Sequence, residues 1–368
     1  MTLSALRQAD ILHGPEGLQR LAPQWIALDR ENPEAPFYTS HAWHAALLHE
    51  LEPEAGSVMF IALRERERLV GVMPVLSSDQ PGKRLQPRVM EIPRRSGMDL
   101  SAPIMAADQQ LHDWWPLLRK TLKAAGHSPF IIKMTGALLQ SPQQEPLRGM
   151  EDNIITRLQN HSYWFDCRQP HQAIQAEYST RLKKILRRGA RKLAASGEIK
   201  LKSWSGQEAK KHAYPVFLQL EASGWKAESG TALALDERAR RFHEAFLFNP
   251  DATFQPQINL LYAGNEAVAG QLCVRQGNTI SLLKIAYAQE MARFSPGSVL
   301  LDKLIAACCD DPQIDTISLI TGQKWMENWN PQKSDVGDIW LFDRSLSARL
   351  ARGAAGLRDR LRQLRASA

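Results

Sequence analysis

The fold of this chain is decided by residues 279–329, TISLLKIAYAQEMARFSPGSVLLDKLIAACCDDPQIDTISLITGQKWMENW. The pattern predicts a strand, a short loop ending in FSPGS (294–298), an amphipathic helix and a second strand. A helix that begins directly after a Pro-Gly turn leaves its first N–H groups unpaired, and these donors attract phosphate. Ser295 or Ser298 would cap the helix, and Gly297 would admit a ligand close to the backbone. A nucleotide-bearing acyl donor is therefore the leading hypothesis, and an ordinary capped helix start is the alternative.

Length and composition set the outer bounds. A chain of 368 residues, 44% hydrophobic and 23% charged, is typical of a globular protein with two domains. Its apolar runs all fall short of the roughly 18 residues needed to cross a bilayer, and its N-terminus lacks the pattern of a signal peptide. We therefore expect a cytoplasmic protein. The cysteines show no C-x-x-C spacing, which favours reduced, buried thiols; they are Cys167, Cys273, Cys308 and Cys309.

The basic charge is concentrated in two segments. Residues 177–202 hold nine Lys and Arg against two Glu, and residues 345–368 hold six Arg against one Asp. Since the net charge of the whole chain is +7, the remainder is acidic overall. Partners of the protein should therefore be sought at these two segments.

The two halves of the chain repeat one pattern of elements. Each shows helices, then an antiparallel hairpin or meander, a helix and a further strand. In the second half, Gly264-Asn265 and Gly277-Asn278 separate three alternating strands, which is a good hairpin signal. We interpret this as two related α/β modules that arose by duplication. Because only the second carries the Pro-Gly-Ser turn, we expect the first to be degenerate.

The chain resembles the CelD/BcsL-like acetyltransferases of cellulose and exopolysaccharide synthesis, within the GCN5-related N-acetyltransferase (GNAT) superfamily. The resemblance spans roughly residues 20–345. Four segments carry it: RLKKILRRGARKLAASGEIKL (181–201), LEASGWK (220–226) with Gly230 and Thr231, FSPGS (294–298), and Gly322-x-Lys324-Trp325 with Trp329.

The resemblance implies an α/β fold of two tandem GNAT-like modules, each a mixed, mostly antiparallel sheet flanked by helices. We place the modules at residues 1–165 and 166–345, followed by a basic amphipathic helix at 346–368. The family is also related to the FemABX aminoacyltransferases, which modify peptidoglycan precursors. It implies an enzyme that uses acetyl-CoA or another acyl-CoA as co-substrate, and a β-bulge in strand 279–287 whose backbone N–H groups face the thioester.

Three residues are candidates for the chemistry of acyl transfer, which needs a neutral amine, a donor to the carbonyl and a proton for the thiolate. Glu221 is the first choice for the base, and pairing with an arginine or capping of a loop is the alternative. Lys284 lies in an apolar strand, where a charge needs either a site or a buried partner. Tyr287 would protonate the thiolate, although tyrosines are also common at strand ends.

The remaining candidates concern binding. For the donor they are Arg293, Phe294, Ser295, Pro296, Gly297 and Ser298. For the acceptor they are Trp225, Lys226, Lys324 and Trp325, each with simple packing or solvation as the alternative. The acceptor itself is left open among an amino sugar, a nucleotide sugar, a peptide amine and a hydroxyl. No metal is expected, because the clustered His41, His44 and His49 lack further ligands at metal-site spacing.

Partners are predicted at the two basic helices. Helix 181–192 is a solvated face, a site for an anionic acceptor, or a nucleic-acid contact, and its lack of aromatics argues against base stacking. The leucines of helix 346–365 are spaced to lie on one face, which would lie on an anionic membrane or dock on the protein's own body.

The predicted function is acyl-CoA-dependent N-acylation in polysaccharide or cell-envelope metabolism, in the cytoplasm or at the inner face of the membrane. The alternatives are a FemABX-like transferase that uses aminoacyl-tRNA, and a non-catalytic module of an envelope-synthesis complex.

Overall fold

The chain forms two compact units, residues 1–160 with 335–368, and residues 161–334. The computed structural model describes residues 7–52, 54–77, 87–95, 98, 100–139, 150, 153–223, 233, 235–320 and 322–366, with side chains to residue 357. Trp225 and Lys226 lie outside the described residues. The sequence placed residues 335–345 in the second module, whereas they belong to the first unit.

The elements follow one another along the chain in the order that the sequence suggested, with five further strands. The first part contains β1 (Arg7–His13), α1 (Gly14–Glu31), α2 (His41–Glu50), β2 (Val58–Glu65), β3 (Arg68–Ser77), β4 (Arg88–Glu91), β5 (Ile104–Met105), α3 (Leu111–Ala124), β6 (Phe130–Leu138) and β7 (Ile154–Asp166). The second part contains α4 (His171–Glu177), α5 (Thr180–Leu193), β8 (Ile199–Ser205), α6 (Tyr214–Ala222), α7 (Glu237–Leu247), β9 (Gln255–Ala263), β10 (Glu266–Gln276), β11 (Thr279–Tyr287), α8 (Pro296–Cys309), β12 (Thr316–Ser318), β13 (Gln332–Phe342) and α9 (Leu346–Ala366).

The sheet of the first unit has the order β1-β2-β3-β4-β6-β13. Neighbouring strands are antiparallel except β4 and β6, which are parallel. The short strand β5 pairs with β3 beyond the end of β4. The largest buried side chains under this sheet include Trp25, Phe60 and Trp114.

The sheet of the second unit has the order β8-β9-β10-β11-β12-β7. Its strands are again antiparallel except one parallel pair, β11 and β12. Two helices, α6 and α7, lie between the first two strands in the sequence, as α1 and α2 do in the first unit. Likewise α8 connects the parallel pair, as α3 does in the first unit. The identical strand order and helix positions agree with the interpretation of a duplication.

The C-terminal helix α9 is held by its small residues. Ala348 is fully buried and forms a cluster with Ile131 and Phe342, whereas Leu346 and Leu350 are exposed. Leu346, Leu350 and Leu357 therefore do not dock on the protein's own body as the sequence suggested, and the side chains of Leu361 and Leu364 lie outside the described residues. Among the described helices, none combines the length and the apolar content that spanning a bilayer requires.

Candidate active site

The two parallel strands of the second unit separate after a short pairing. β11 pairs with β12 only through Thr279–Ser281 and Thr316–Ser318. β12 then ends, and Ile320 has a φ of 63°, which takes the chain out of the extended conformation. β11 continues to Tyr287. Among the described residues, β11 makes no strand pairing with β12 beyond Ser281, and the stretch after Ser281 is the open half of β11.

A β-bulge lies where the open half of β11 begins. Leu282 pairs with Cys273 and Lys284 with Leu272, which leaves Leu283 as an extra residue. The bulge predicted for strand 279–287 is therefore confirmed. Side chains of a strand point to alternate faces of the sheet, and the extra residue shifts this alternation by one. Leu282 before the bulge and Tyr287 after it therefore both face the core under α8.

The start of α8 differs from the predicted row of free donors. Ser295, in the left-handed region at φ 52° and ψ 50°, makes no side-chain cap. Its carbonyl instead accepts the N–H groups of Ser298 at 3.0 Å and Val299 at 3.1 Å. Pro296 has no N–H, so Gly297 has the one N–H of this turn without a partner among the described residues. The prediction of a serine cap was wrong, and the anion site reduces to one donor and the helix dipole.

The turn is nevertheless placed to meet a ligand that lies along β11. A Cβ at Gly297 would come within 3.2 Å of the Ile285 side chain and 3.6 Å of Tyr287, so the helix begins directly over the strand. Gly297 and Ser298 are partly exposed, while Pro296 is buried. The first turn of α8 contains no acidic residue that would repel an anion.

The basic helix α5 packs against this turn. A Cβ at Gly189 would collide with the Phe294 carbonyl, so the missing side chain permits the close approach. The Arg293 guanidinium lies over the Phe294 ring, 4.7 Å from its centroid. The buried face of α5 is Leu182, Leu186, Gly189 and Leu193. Its lysines and arginines are all exposed: Arg181, Lys183, Lys184, Arg187, Arg188, Arg191 and Lys192.

Glu221 and Lys284 form an ion pair on the opposite face of the sheet from α8. The Lys284 ammonium lies 3.3 Å from the Glu221 carboxylate, whose side chain is fully buried. The other carboxylate oxygen accepts the Leu233 N–H at 2.8 Å. Both alternatives named for Glu221, a charge partner and a loop cap, thus describe contacts that it makes, although the partner is a lysine.

Of the three candidates for chemistry, Glu221 and Lys284 are in contact, but Tyr287 is not with them. Lys284 points to the side of α6, whereas Tyr287 points to α8, because the two residues lie on opposite faces of the strand. Lys324 and Trp325 are exposed at the start of the turn Lys324–Trp329, and Trp325 is 43% exposed. The packed aromatic of that turn is Trp329.

One buried polar residue was not predicted. Gln271 in β10 is fully buried opposite Ile285, and neither polar atom of its amide has a partner among the described residues. Its neighbour Asn259 donates to the Cys273 sulfur at 3.5 Å, and burial raises the pKa of the Cys273 thiol. The available signal was a pair of amides inside otherwise apolar strands. Within the described residues, no three or more His, Cys, Asp or Glu are arranged to hold a metal.

Residues 180–330 match the model of the acetyltransferase (GNAT) domain family. The matched segment includes the separated strands, the bulge and the start of α8. The second unit therefore carries a GNAT acetyltransferase domain, and the protein is an acyltransferase of GNAT fold. The predicted fold, two GNAT-like modules with mixed, mostly antiparallel sheets flanked by helices, is confirmed.

Solved structures with the same fold extend over nearly the whole chain. FemX is 11% identical, with a TM-score of 0.56 over 91% of this chain and 97% of that chain. The C-terminal domain of a protein described as a lysylphosphatidylglycerol synthetase from Agrobacterium fabrum is 11% identical, with a TM-score of 0.52 over 92% and 97%. A conserved protein of unknown function from Bacteroides thetaiotaomicron is 9% identical, with a TM-score of 0.53 over 93% and 98%. No curated protein matches the chain in sequence.

Proposed function

We propose that the protein is an acyl-CoA-dependent N-acyltransferase, with acetyl-CoA as the default donor. The observation that carries the proposal is the open half of β11, which begins at a bulge and ends beneath the start of α8. One ligand lying along this strand would place a thioester at the bulge and a diphosphate at the Gly297 N–H. The GNAT domain supports this donor, since such domains generally use acyl-CoA.

The proposed reaction is direct attack of an acceptor amine on the thioester. A backbone N–H at the Leu283 bulge donates to the carbonyl oxygen as it gains charge. The new N–C bond forms, the C–S bond breaks, and no covalent enzyme intermediate arises. Glu221 takes the proton that the amine loses, and Tyr287 protonates the leaving thiolate. Trp225, Lys226, Lys324 and Trp325 remain the predicted acceptor contacts.

Ser298→Glu tests the donor site. An acid in the first turn stabilises a helix, so the variant should unfold at the same or a higher temperature. It should also repel the diphosphate, and we expect the Kd for acetyl-CoA to rise at least about tenfold, measured by calorimetry. Ser298→Ala is the matched control and should bind like wild type. Unchanged binding by Ser298→Glu would move the diphosphate elsewhere, and failure of the wild type to bind any coenzyme A thioester would favour the non-catalytic module.

Deletion of Leu283 tests the bulge. The flanking pairs, Leu282 with Cys273 and Lys284 with Leu272, become continuous without any change of register. We expect kcat to fall about 100-fold or more, the usual effect of removing an oxyanion donor, while the Kd for acetyl-CoA changes little. Leu283→Ala, which keeps the extra backbone residue, is the control. Normal turnover by the deletion variant would show that the bulge does not contact the thioester.

A second candidate is transfer from aminoacyl-tRNA, which the exposed basic face of α5 beside the site favours. Such a complex would weaken steeply with salt, and Arg187→Glu with Arg188→Glu would reduce its affinity. Binding of tRNA that is strong at low salt and lost in the charge-reversed variant would select this candidate. We expect weak binding and no transfer.

The proposed setting is polysaccharide or cell-envelope metabolism in the cytoplasm, on the strength of the CelD/BcsL-like resemblance. An acceptor screen with amino sugars, nucleotide sugars and peptide amines tests it, read out by release of free coenzyme A thiol. Acylation of a peptide amine alone would speak against the polysaccharide setting.

A further inference from the structure

Helix α9 presents a stripe of leucines to solvent. Leu346, Leu350 and Leu357 are 75%, 66% and 61% exposed. At 3.6 residues per turn they lie within about 40° of one another around the helix axis. The opposite side of the helix is the one that Ala348 buries against Ile131 and Phe342. The docking of α9 therefore holds its leucines away from the first unit.

Arginines flank the stripe. Beside α9 is a groove of about 520 Å³, lined by Asn153, Phe342, Asp343, Arg344, Arg349, Arg352 and Gly353. The one acid of the groove, Asp343, is already neutralised by Arg119 at 3.0 Å and accepts the Ser128 hydroxyl at 2.8 Å. Arg349 and Arg352 have no acidic partner among the described side chains. The groove is therefore positively charged and lies next to exposed apolar surface.

A second copy of the chain does not suit this face. A two-helix seam needs apolar residues alternately three and four apart. A seam that begins at Leu346 and Leu350 would require apolar side chains at positions 353 and 360, which are Gly353 and Arg360. The seam formed by Leu350, Ala354, Leu357, Leu361 and Leu364 leaves Leu346, the most exposed leucine of the stripe, outside it. Six arginines against one acid in residues 345–368 would also repel an identical helix.

An anionic bilayer surface satisfies both parts of the face. Leucines reach the boundary of the acyl chains while the arginines beside them contact lipid phosphates. We propose that α9 binds the protein to the surface of an anionic phospholipid bilayer, with the groove at Arg344, Arg349 and Arg352 receiving a lipid phosphate. This inference concerns the first unit and does not depend on the function proposed for the second.

Co-sedimentation of the full chain with vesicles tests the proposal. The probes are phosphatidylcholine vesicles with and without phosphatidylglycerol, at low and high salt. We expect binding to the anionic vesicles only, weakened by salt. Leu346→Ser, Leu350→Ser and Leu357→Ser together should lower the partition coefficient at least about tenfold. The matched control is Leu158→Ser with Leu235→Ser, because these leucines are similarly exposed, at 59% and 60%.

A second variant covers the case in which the serine substitutions unwind the helix. Arg349→Glu with Arg352→Glu keeps the leucines and should reduce binding to anionic vesicles roughly tenfold for each reversal. Far-UV circular dichroism shows whether either variant keeps the helix. Equal binding to both kinds of vesicle, or unchanged binding by the charge-reversed variant, would overturn the proposal. A dimer in solution that the serine variant dissociates would overturn it as well, in favour of a second copy.

Discussion

Asp29 in the first unit and Glu221 in the second occupy the same place in a shared design. Asp29 lies near the end of α1, which follows β1, and Glu221 near the end of α6, which follows β8, and these two strands are the outer strands of their sheets. Each accepts a backbone N–H twelve residues further on, from His41 at 2.9 Å and from Leu233 at 2.8 Å. The carboxylate thus holds the connection between two helices in both units.

The two carboxylates differ in what compensates their burial. Burial raises the pKa of Asp29 to about 7, although the His41 N–H opposes the shift. Glu221 instead faces the Lys284 ammonium, which the bulge in β11 turns towards α6. β3 in the first unit corresponds to β10 in the second. The separate strand β5, which pairs with Gly71 and Val72 of β3, takes the place beside β3 that the open half of β11 takes beside β10.

The starts of α8 and α3 also differ between the two units, in the length of the connection before the helix and in the charge of its first turn. In the second unit, α8 follows β11 after residues 288–295, and its first turn contains no acid. In the first unit, residues 92–110 separate β4 from α3, whose first turn contains Asp113. The same sheet is therefore present in both units, while the bulge, the short connection and the uncharged helix turn on which the proposed donor site depends are features of the second unit.

Glu221→Gln should have the largest effect on this comparison. Glutamine still accepts the Leu233 N–H, so the loop connection is kept, while loss of the charge opposite the partly exposed Lys284 should lower stability by about 1–3 kcal/mol. If Glu221 is the base, kcat should fall about 100-fold or more, measured at saturating donor and acceptor. Full activity in the variant would mean that Glu221 only ties the loop, as Asp29 does.

Lys284→Met should make Glu221 resemble Asp29. Breaking a buried pair from one side costs about 3–5 kcal/mol, and the lost stability should return at low pH, because the isolated carboxylate can then take up a proton. Urea unfolding at neutral and acidic pH measures both effects. Arg68→Met is the control in the first unit, where Arg68 and Glu31 are half exposed and their pair contributes at most about 1 kcal/mol. A loss as small as that of the control, at every pH, would contradict the buried-pair assignment.

Asp29→Asn and His44→Gln should reveal opposite pH dependences in the first unit. The folded-state pKa of Asp29 is raised to about 7, so its contribution is present at low pH and is lost as pH rises. Burial, reinforced by His41, lowers the pKa of His44 to about 3, so its contribution is lost as pH falls below the ordinary value. Between about pH 4 and 6.5 the two groups change the free energy of unfolding with pH in opposite directions, so their effects cancel in the wild type.

Removing either group leaves the pH dependence of stability that the other group causes. We expect Asp29→Asn to become more stable with rising pH, and His44→Gln less stable, each by about 1.4 kcal/mol per pH unit relative to wild type. Urea unfolding of the first unit across this range is the measurement. Parallel pH profiles for wild type and both variants would show that neither group is neutral in the folded state.

The sequence was informative where local chemistry sets the structure. Gly264-Asn265 and Gly277-Asn278 identified the turns between β9, β10 and β11, and the Pro-Gly turn located α8. β1, β4, β5, β7 and β13 were missed. In β7 polar and apolar positions do not alternate cleanly, and β13 pairs with β6 far away in the chain. The contacts of Glu221 depend on the tertiary fold, and so does the carbonyl of Ser295 that consumes the expected free donors.

Asp113→Ser should have the smallest effect and addresses the helix starts directly. Loss of an acid from the first turn of α3 should cost about 0.3–1 kcal/mol, measured by thermal unfolding. It should not create affinity for acetyl-CoA in the first unit, because the long connection of residues 92–110 still stands where the second unit has a short one. The binding assay uses Ser298→Glu as background, so that the second unit does not contribute binding. Binding of acetyl-CoA by this double variant would show that one carboxylate, rather than the longer connection, separates the two units.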